Sequence, residues 1–214
     1  MSKSIMLIPH GAGNIASLME LFHQVGYFPH VAESASQLEH VDMAVLPGVG
    51  ASGGAMARLI DTGFADALKR MHERQRPIVG ICVGAQVMFE TLHENNCTGL
   101  GLLPGEVARI AGGAFNNGWS DIRLSASVNK SAKPSSSKPG KPLLLKTAAK
   151  TFYFNHGYQI NTPAKMQELA TTTCDKKLLA YFVRDNLCGI QFHPEKSQAT
   201  GLSFIANTMK HYGF

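Results

Sequence analysis

Short apolar runs alternate with helix-length amphipathic segments along the first half of the chain. Four runs have the length and composition of buried β-strands: S-I-M-L-I (4–8), Y-F-P-H-V-A (27–32), D-M-A-V-L-P (42–47) and P-I-V-G-I (77–81). Four other segments carry apolar residues at helical spacing: 14–25, 54–61, 64–75 and 83–93. Strands that alternate with helices predict right-handed crossovers and a parallel sheet covered by helices on both faces.

The second half of the chain predicts short strands with turn residues between them. These strands are 107–110, 120–128, 151–155, 168–173, 178–183 and 188–192. They indicate an antiparallel extension of the sheet, which a helix over about 199–211 follows. Segment 129–142 contains only Pro, Ser, Lys and Gly apart from Asn129 and Ala132, so it cannot supply core residues. We predict an exposed, mobile loop there, inside one domain that spans residues 1–214.

The predicted fold class is therefore α/β: a single domain with an open, mostly parallel sheet, flanking helices and an antiparallel extension. In open α/β sheets, ligands bind outside the carboxyl ends of the strands. Three notable turns are predicted at that edge: H-G-A-G-N (10–14) after the first strand, P-G-V-G (47–50) after the third, and Cys82 after the fourth. We expect a functional site where these turns meet.

Composition narrows the class of protein. The 214 residues are 44% hydrophobic and 16% charged, which is typical of a folded globular chain. No stretch approaches the roughly 20 apolar residues that a membrane span needs. The apolar run after Met1 is too short for the core of a signal peptide, so a cytoplasmic location without a membrane partner is predicted.

The positive charge of the chain is concentrated in one segment. Six lysines lie within residues 130–150, ends included, and without them the formal net charge would fall from +5 to −1. This segment lacks the interleaved aromatic residues of a nucleic-acid groove. We interpret it as a solvated surface and predict no nucleic-acid partner.

The four cysteines lie far apart in the sequence, at Cys82, Cys97, Cys174 and Cys188. None forms a C-x-x-C pair or a Cys/His ligand cluster, so no metal site is predicted, and a reducing compartment argues against disulfides. The G-A-G-N turn lacks G-x-G-x-x-G spacing, so no nucleotide cofactor is predicted either.

Cys82 stands between Gly80 and Gly84, where a strand is predicted to turn into a helix. Two explanations are open. Cysteine is among the most buried residue types, and Cys82 could be an inert core thiol. Alternatively, a sharp strand-to-helix turn lifts a nucleophile out of the sheet, and such a turn needs small neighbours.

A nucleophilic cysteine needs a base, a group that orients the base, and donors for the oxyanion. In G-I-Q-F-H-P-E-K-S (189–197), His193 follows a strand, Pro194 ends strand pairing, and Glu195 can turn back to the imidazole. The N–H of Val83 and the turn Pro47–Gly50 are candidate donors. Taken singly, His193 could be an ordinary surface or core histidine, and P-G-V-G only a turn.

Together and in this order, the motifs resemble those of the class I (triad-type) glutamine amidotransferases. Within that family the chain most resembles glutaminase subunits of imidazole glycerol phosphate synthase. The motifs that carry the resemblance are G-A-G-N-I-A-S (11–17), L-P-G-V-G-A (46–51), P-I-V-G-I-C-V-G-A-Q (77–86), G-L-G-L-L-P-G-E-V-A-R (99–109), G-W-S (118–120), F-Y-F-N-H-G-Y (152–158) and G-I-Q-F-H-P-E-K-S (189–197). They cover nearly the whole chain.

The resemblance implies a flavodoxin-like core and a glutaminase that uses no cofactor. It implies that Cys82 attacks the side-chain amide of L-glutamine, that His193 moves the proton, and that Glu195 holds His193. The roles implied for other residues are an oxyanion hole at Gly48, Val49, Gly50 and Val83, and substrate contacts at Pro47, Gln86 and Glu94. For Glu94, a solvated charge at a helix end is the alternative.

The resemblance also implies a partner, because ammonia is useful only if it is kept from water. That partner is a (β/α)8-barrel cyclase subunit in a heterodimer, and the implied interface residues are Asn14, Trp119, Tyr158 and Lys196. Trp119 could instead be a core residue and Lys196 a free surface lysine.

Departures from the family pattern, such as N-G-W-S (117–120) and H-G-Y (156–158), leave a second acceptor open. That alternative is a paralogous subunit that supplies ammonia for sugar amidation in surface-polysaccharide synthesis. A non-catalytic protein or a cysteine hydrolase on the same fold are further alternatives, against which the H-P-E sequence argues.

Overall fold

A computed structural model describes residues 3–11, 13–125, 151–173 and 177–214. The predicted loop 129–142, the end of the predicted strand 120–128, and Cys174 lie outside these residues.

Thirteen strands and five α-helices lie within the described part of the chain. The strands are β1 (Ile5–Leu7), β2 (His30–Val31), β3 (Met43–Leu46), β4 (Ile78–Ile81), β5 (Phe89–Leu92), β6 (Cys97–Thr98), β7 (Leu103–Arg109), β8 (Asn116–Leu124), β9 (Thr151–His156), β10 (Tyr158–Asn161), β11 (Glu168–Thr172), β12 (Leu179–Arg184) and β13 (Leu187–Ile190). The helices are α1 (Ile15–Gln24), α2 (Ser52–Asp61), α3 (Phe64–Glu73), α4 (Val83–Gln86) and α5 (Gln198–His211).

Nine strands form one sheet in the order β2-β1-β3-β4-β13-β12-β11-β8-β9. The pairs from β2 to β13 are parallel, and the pairs from β13 to β9 are antiparallel. The predicted α/β class with an antiparallel extension is confirmed. Strand β13 is the junction between the two halves, because it pairs in parallel with β4 and antiparallel with β12.

A second sheet of four strands, in the order β10-β7-β5-β6, was not expected from the sequence. The helix predicted over 83–93 is correct only up to Gln86, where α4 ends, and β5 begins at Phe89. The apolar run after Gln86 fits a buried helix and a buried strand equally well. Pairing of β5 with β7 and β6 decides in favour of the strand.

The parallel strands at the centre of the large sheet are buried along their whole length, since β3 and β4 have no exposed residue. Helix α1 packs against α5, and α2 packs against α3.

An aromatic cluster holds α5 against β9 and the segment after β13. Phe152 stacks on Phe192 at 4.0 Å between ring centroids, and Phe204 meets both rings edge-on. In the described part of the chain, no helix is long and apolar enough to cross a membrane.

Candidate active site

The turn that carries Cys82 joins β4 to α4 and has an unusual backbone. Cys82 has φ 52° and ψ −108°, a conformation that L-residues rarely adopt, and its N–H donates to the Ile190 carbonyl of β13 at 2.6 Å. Glycines permit this turn, because a Cβ at Gly80 would overlap the Gly84 carbonyl oxygen. A Cβ at Gly84 would overlap the Leu46 carbonyl oxygen. The flanking glycines therefore hold a strained elbow against β3.

His193 lies three residues beyond the end of β13 and is buried. Its Nδ1 is 2.8 Å from Oε1 of Glu195, whose side chain is also buried. The main chain of His193 is fixed on both sides: its N–H donates to the Tyr153 carbonyl at 2.8 Å, and its carbonyl accepts the Ser197 hydroxyl at 2.6 Å. The Ser197 oxygen in turn accepts the Tyr153 N–H at 3.0 Å. Position and orientation of the ring are therefore set by several independent contacts.

The opposite ring nitrogen of His193, Nε2, is buried and makes no hydrogen bond of normal geometry within the described residues. Burial lowers the pKa of His193, but its interactions with Cys82 and Glu195 outweigh burial and raise the pKa to about 9. His193 is therefore an imidazolium at neutral pH, with one nitrogen held by a carboxylate and the other available to a reacting group.

A second buried histidine, His156, has the opposite charge preference. Burial and, to a smaller extent, the positive charge of His193 lower its pKa to about 4, although a hydrogen bond to the Tyr158 carbonyl opposes them. Its Nδ1 is 2.7 Å from that carbonyl, and its Nε2 is 3.1 Å from Asn116 Nδ2. His156 is thus a neutral wall of the site.

Two glutamine amides lie beside the Cys82 thiol. Gln191 Nε2 donates to Cys82 Sγ at 3.6 Å, and Gln191 Oε1 accepts from Gln86 Nε2 at 3.2 Å. Val83 begins α4 directly after Cys82, so its N–H has no acceptor in the preceding helical turn. These groups provide donors around a negatively charged sulfur or oxygen.

The turn Pro47–Gly50 has a buried half and a half that faces the site. Val49 and Gly50 line the cavity beside Cys82, whereas Pro47 and Gly48 are buried and are not among the lining residues. Nε2 of the buried His10 contacts the Pro47 carbonyl. The structure therefore places the first predicted turn, around His10, against the second.

A cavity of about 380 Å³ opens above the thiol. Its lining residues are Val49, Gly50, Cys82, Val83, Gln86, Glu94, Arg109, Gly113, Ala114, Phe115, Asn155, His156, Gly157 and Tyr158. Its volume suits a small metabolite. Glu94 and Arg109 add a carboxylate and a guanidinium to these walls.

The residues predicted for a partner interface fall into three places. Trp119 is half exposed on β8, and its ring meets Tyr153 of β9 edge-on at 6.0 Å. Lys196 Nζ lies 5.6 Å from the centre of the same Tyr153 ring. Asn14 is exposed and caps α1 by accepting the Ser17 N–H at 3.1 Å. Tyr158 lies elsewhere, in the cavity wall, so Tyr153 is the tyrosine beside Trp119 and Lys196.

Sequence reasoning assigned no role to His10, Tyr153, His156 or Gln191. The last three stand inside the motifs F-Y-F-N-H-G-Y and G-I-Q-F-H-P-E-K-S, and membership of these motifs was the available signal. Nothing local indicates that His10 contacts Pro47, because the two residues belong to different strand ends.

Comparison with known proteins gives consistent results. The family profile described as Glutamine amidotransferase class-I matches residues 10–211. The chain is 34% identical to "Imidazole glycerol phosphate synthase subunit HisH" of Halalkalibacterium halodurans, over 94% of this chain and 92% of that protein. It is 36% identical to the protein of the same name from Desulfitobacterium hafniense, over 95% of this chain and 92% of that protein.

Solved structures show the same fold. The structure of PurLQS from Thermotoga maritima has a TM-score of 0.74 at 17% identity, covering 98% of both chains. A crystal structure of a glutamine amidotransferase has a TM-score of 0.65 at 14% identity, covering 98% of this chain and 99% of that one. At such low identity these two likenesses bear on the fold alone.

Proposed function

Because the chain belongs to the class-I glutamine amidotransferase family, we propose that it is the glutaminase subunit of an imidazole glycerol phosphate synthase, as its named relatives are. It hydrolyses glutamine to glutamate and ammonia for histidine biosynthesis. The observation that carries this proposal is the meeting of three side chains from two neighbouring strand ends. The parallel pair β4–β13 brings Cys82 and His193 to the same edge of the sheet, and His193 is hydrogen-bonded to Glu195.

The reactive form of Cys82 is the thiolate, and His193 carries the proton on Nε2. The Cys82 sulfur attacks the side-chain carbonyl carbon of glutamine, and His193 gives its Nε2 proton to the leaving nitrogen. The C–N bond breaks, ammonia departs, and a γ-glutamyl thioester remains. Water then attacks the thioester while His193 takes its proton; the C–S bond breaks, and glutamate leaves as the thiolate re-forms.

Negative charge on the carbonyl oxygen needs donors during both steps. The Val83 N–H is adjacent to the nucleophile, and the turn through Gly48, Val49 and Gly50 supplies the other candidate. Glu94 lies in the cavity wall, where its carboxylate can bind the α-ammonium of glutamine. Gln86 lines the same cavity beside the thiol.

The ammonia acceptor is a separate synthase subunit, which we propose to be a (β/α)8 barrel. This chain would bind the synthase subunit through the outer face of β8 and β9, where Trp119, Tyr153 and Lys196 lie together. Aromatic and cationic side chains of this kind are enriched at interface centres. Tyr153 also contacts His193 through its main chain, so this surface is adjacent to the catalytic base. The cytoplasm stays the predicted location.

Replacement of Cys82 by alanine tests the chemistry. With the synthase subunit present, we expect Cys82→Ala to reduce glutamate release to background. The matched control is Cys97→Ala, since burial raises the pKa of that partly buried thiol and it is not part of the triad. Glutamate release by the Cys82→Ala variant at the wild-type rate would contradict the assignment.

Complementation tests the pathway. The chain and its cognate synthase subunit should restore growth without histidine to a strain that lacks the glutaminase subunit. The named relatives point to the histidine pathway, and neither points to sugar amidation. Failure to restore growth despite good expression of both subunits would favour the other acceptor.

A further inference from the structure

Helix α2 starts directly after the turn Pro47–Gly50 and lacks a cap of its own. Its N-cap residue is Ala51, which has no side-chain acceptor, and its first turn contains no acidic residue. Even so, its first two N–H groups are satisfied. Ser52 N donates to Glu94 Oε2 at 2.7 Å, and Gly53 N donates to Asn95 Oδ1 at 3.1 Å.

The acceptors come from 42 residues further along the chain, in the turn between β5 and β6. The Ser52 hydroxyl adds a second bond to Glu94 Oε2, at 3.0 Å. Gly53 leaves room for Asn95, because a Cβ at position 53 would lie 2.6 Å from Asn95 Cβ. The turn that carries Glu94 and Asn95 is therefore joined to α2 at three points.

These contacts divide the Glu94 carboxylate into two unequal oxygens. Oε2 is occupied by both donors of Ser52, and Oε1 makes no hydrogen bond to any residue in the described part of the chain. Glu94 lines the cavity above Cys82. A carboxylate with one oxygen fixed presents the other in a defined direction, which lowers the entropy cost of binding a cation.

We propose that Ser52 and Asn95 are positioning residues for glutamine recognition. Together they hold the Glu94 carboxylate toward the substrate α-ammonium, and they tie that contact to the end of the oxyanion turn. This inference rests on the proposed glutaminase function. Neither residue touches the reacting atoms; both act through Glu94 and α2.

Two alkylating probes of Cys82 separate positioning from general loosening of the site. The diazoketone analogue of glutamine carries the α-ammonium; its diazo carbon takes up a proton, and the thiolate then displaces N₂ to form the C–S bond. Iodoacetamide alkylates the same thiolate with loss of iodide and has no α-ammonium. We expect Ser52→Ala and Asn95→Ala each to slow labelling by the analogue roughly tenfold, the scale for one hydrogen bond to a charged group. Labelling by iodoacetamide should stay within about twofold of wild type.

The conservative variant Asn95→Asp keeps an acceptor for the Gly53 N–H at a helix N-terminus, which favours negative charge. It should label with the analogue at close to the wild-type rate. Wild-type rates with the analogue in both alanine variants, or equal slowing with both probes, would overturn the proposal. If iodoacetamide labels Cys82 in the wild type and the analogue does not, the glutaminase function itself fails, and this inference fails with it.

Discussion

Two buried histidines next to each other carry opposite charge preferences. Burial lowers the pKa of His193, but the interactions with Cys82 and Glu195 raise it by more, to about 9. His156 has no carboxylate partner among the described residues, and burial lowers its pKa to about 4. One imidazole is thus charged at neutral pH, while the neighbouring one is neutral and does not repel it.

These two shifts predict a stability maximum near pH 6.5, the ordinary pKa of histidine. Between pH 6.5 and about 9 the folded state holds the His193 proton more tightly than the unfolded state, so stability falls as pH rises. Between pH 6.5 and about 4 the unfolded state binds the His156 proton more tightly, so stability falls as pH drops. Each contribution is about 3 kcal/mol.

Urea unfolding across this pH range measures the effect. His193→Gln should flatten mainly the alkaline side of the profile, and His156→Gln mainly the acid side, because His193 contributes only a small part of the His156 shift. A variant that changes both sides equally, or neither, would show that these histidines do not set the profile.

Glu195→Gln should lower the kcat for glutamine by roughly two to four orders of magnitude, because an amide can donate to Nδ1 and stabilise the wrong tautomer. The alkaline limb of the pH profile of kcat should also move to lower pH, because the carboxylate no longer stabilises the His193 imidazolium. His93 and Glu106 form an equally short pair of 2.8 Å at the surface. Glu106→Gln is therefore the control, and glutaminase kinetics in the two variants should differ. Equal activity would remove Glu195 from the mechanism.

At the scale of elements, the catalytic distance is set by strand register. Ile81 and Ile190 are opposite each other in the parallel pair β4–β13, so both strands end at the same level of the sheet. Cys82 is the next residue after β4, and the segment after β13 leads to His193. Hydrogen bonds of the sheet, rather than flexible loops, therefore bring the two residues together.

Gly84→Ala should disrupt this arrangement, because the added methyl would overlap the Leu46 carbonyl oxygen of β3. We expect a loss of about 3 kcal/mol in unfolding free energy, together with loss of thiol reactivity. Gly54 is the third residue of α2, where a methyl group added to it would have no atom within 4 Å. Gly54→Ala should instead stabilise the chain by about 0.5–1 kcal/mol. Thermal unfolding of the two variants in parallel is the measurement, and similar changes in both would contradict the packing argument.

The sequence predicted strands best where both faces of a strand are buried. Strands β1, β3 and β4 are continuous apolar runs, and each was predicted to within one residue at either end. The segment after Gln86 was mistaken for helix, because its final state depends on strands β6 and β7, which follow it in the chain. Contacts such as Ser52 with Glu94 have no local signal, since 42 positions separate the partners.

On the scale of the whole molecule, the two edges of the nine-stranded sheet differ. Strand β9 forms one edge and carries Tyr153, which lies with Trp119 and Lys196. The opposite edge is β2, and the exposed Phe28 precedes it. The molecule therefore has an aromatic patch beside His193 and an exposed aromatic residue far from it in the sheet order.

Trp119→Ala should weaken binding of the synthase subunit by about 2 kcal/mol, as truncation of an interface-centre tryptophan does. Phe28→Ala removes a ring that is 71% exposed, against 49% for Trp119, and should leave binding unchanged. Calorimetric titration of both variants with the synthase subunit distinguishes the edges. Weaker binding with Phe28→Ala alone would place the docking surface on the β2 edge.

Tyr153 has separate roles for its peptide groups and its ring. The peptide N–H and carbonyl bind Ser197 and His193 through bonds that any amino acid except proline could make. The ring alone faces outward. Evolution can therefore exchange the outward side chains of β9 without altering the main-chain hydrogen bonds that hold His193, and an engineer who wishes to change the partner at the proposed docking surface has the same freedom.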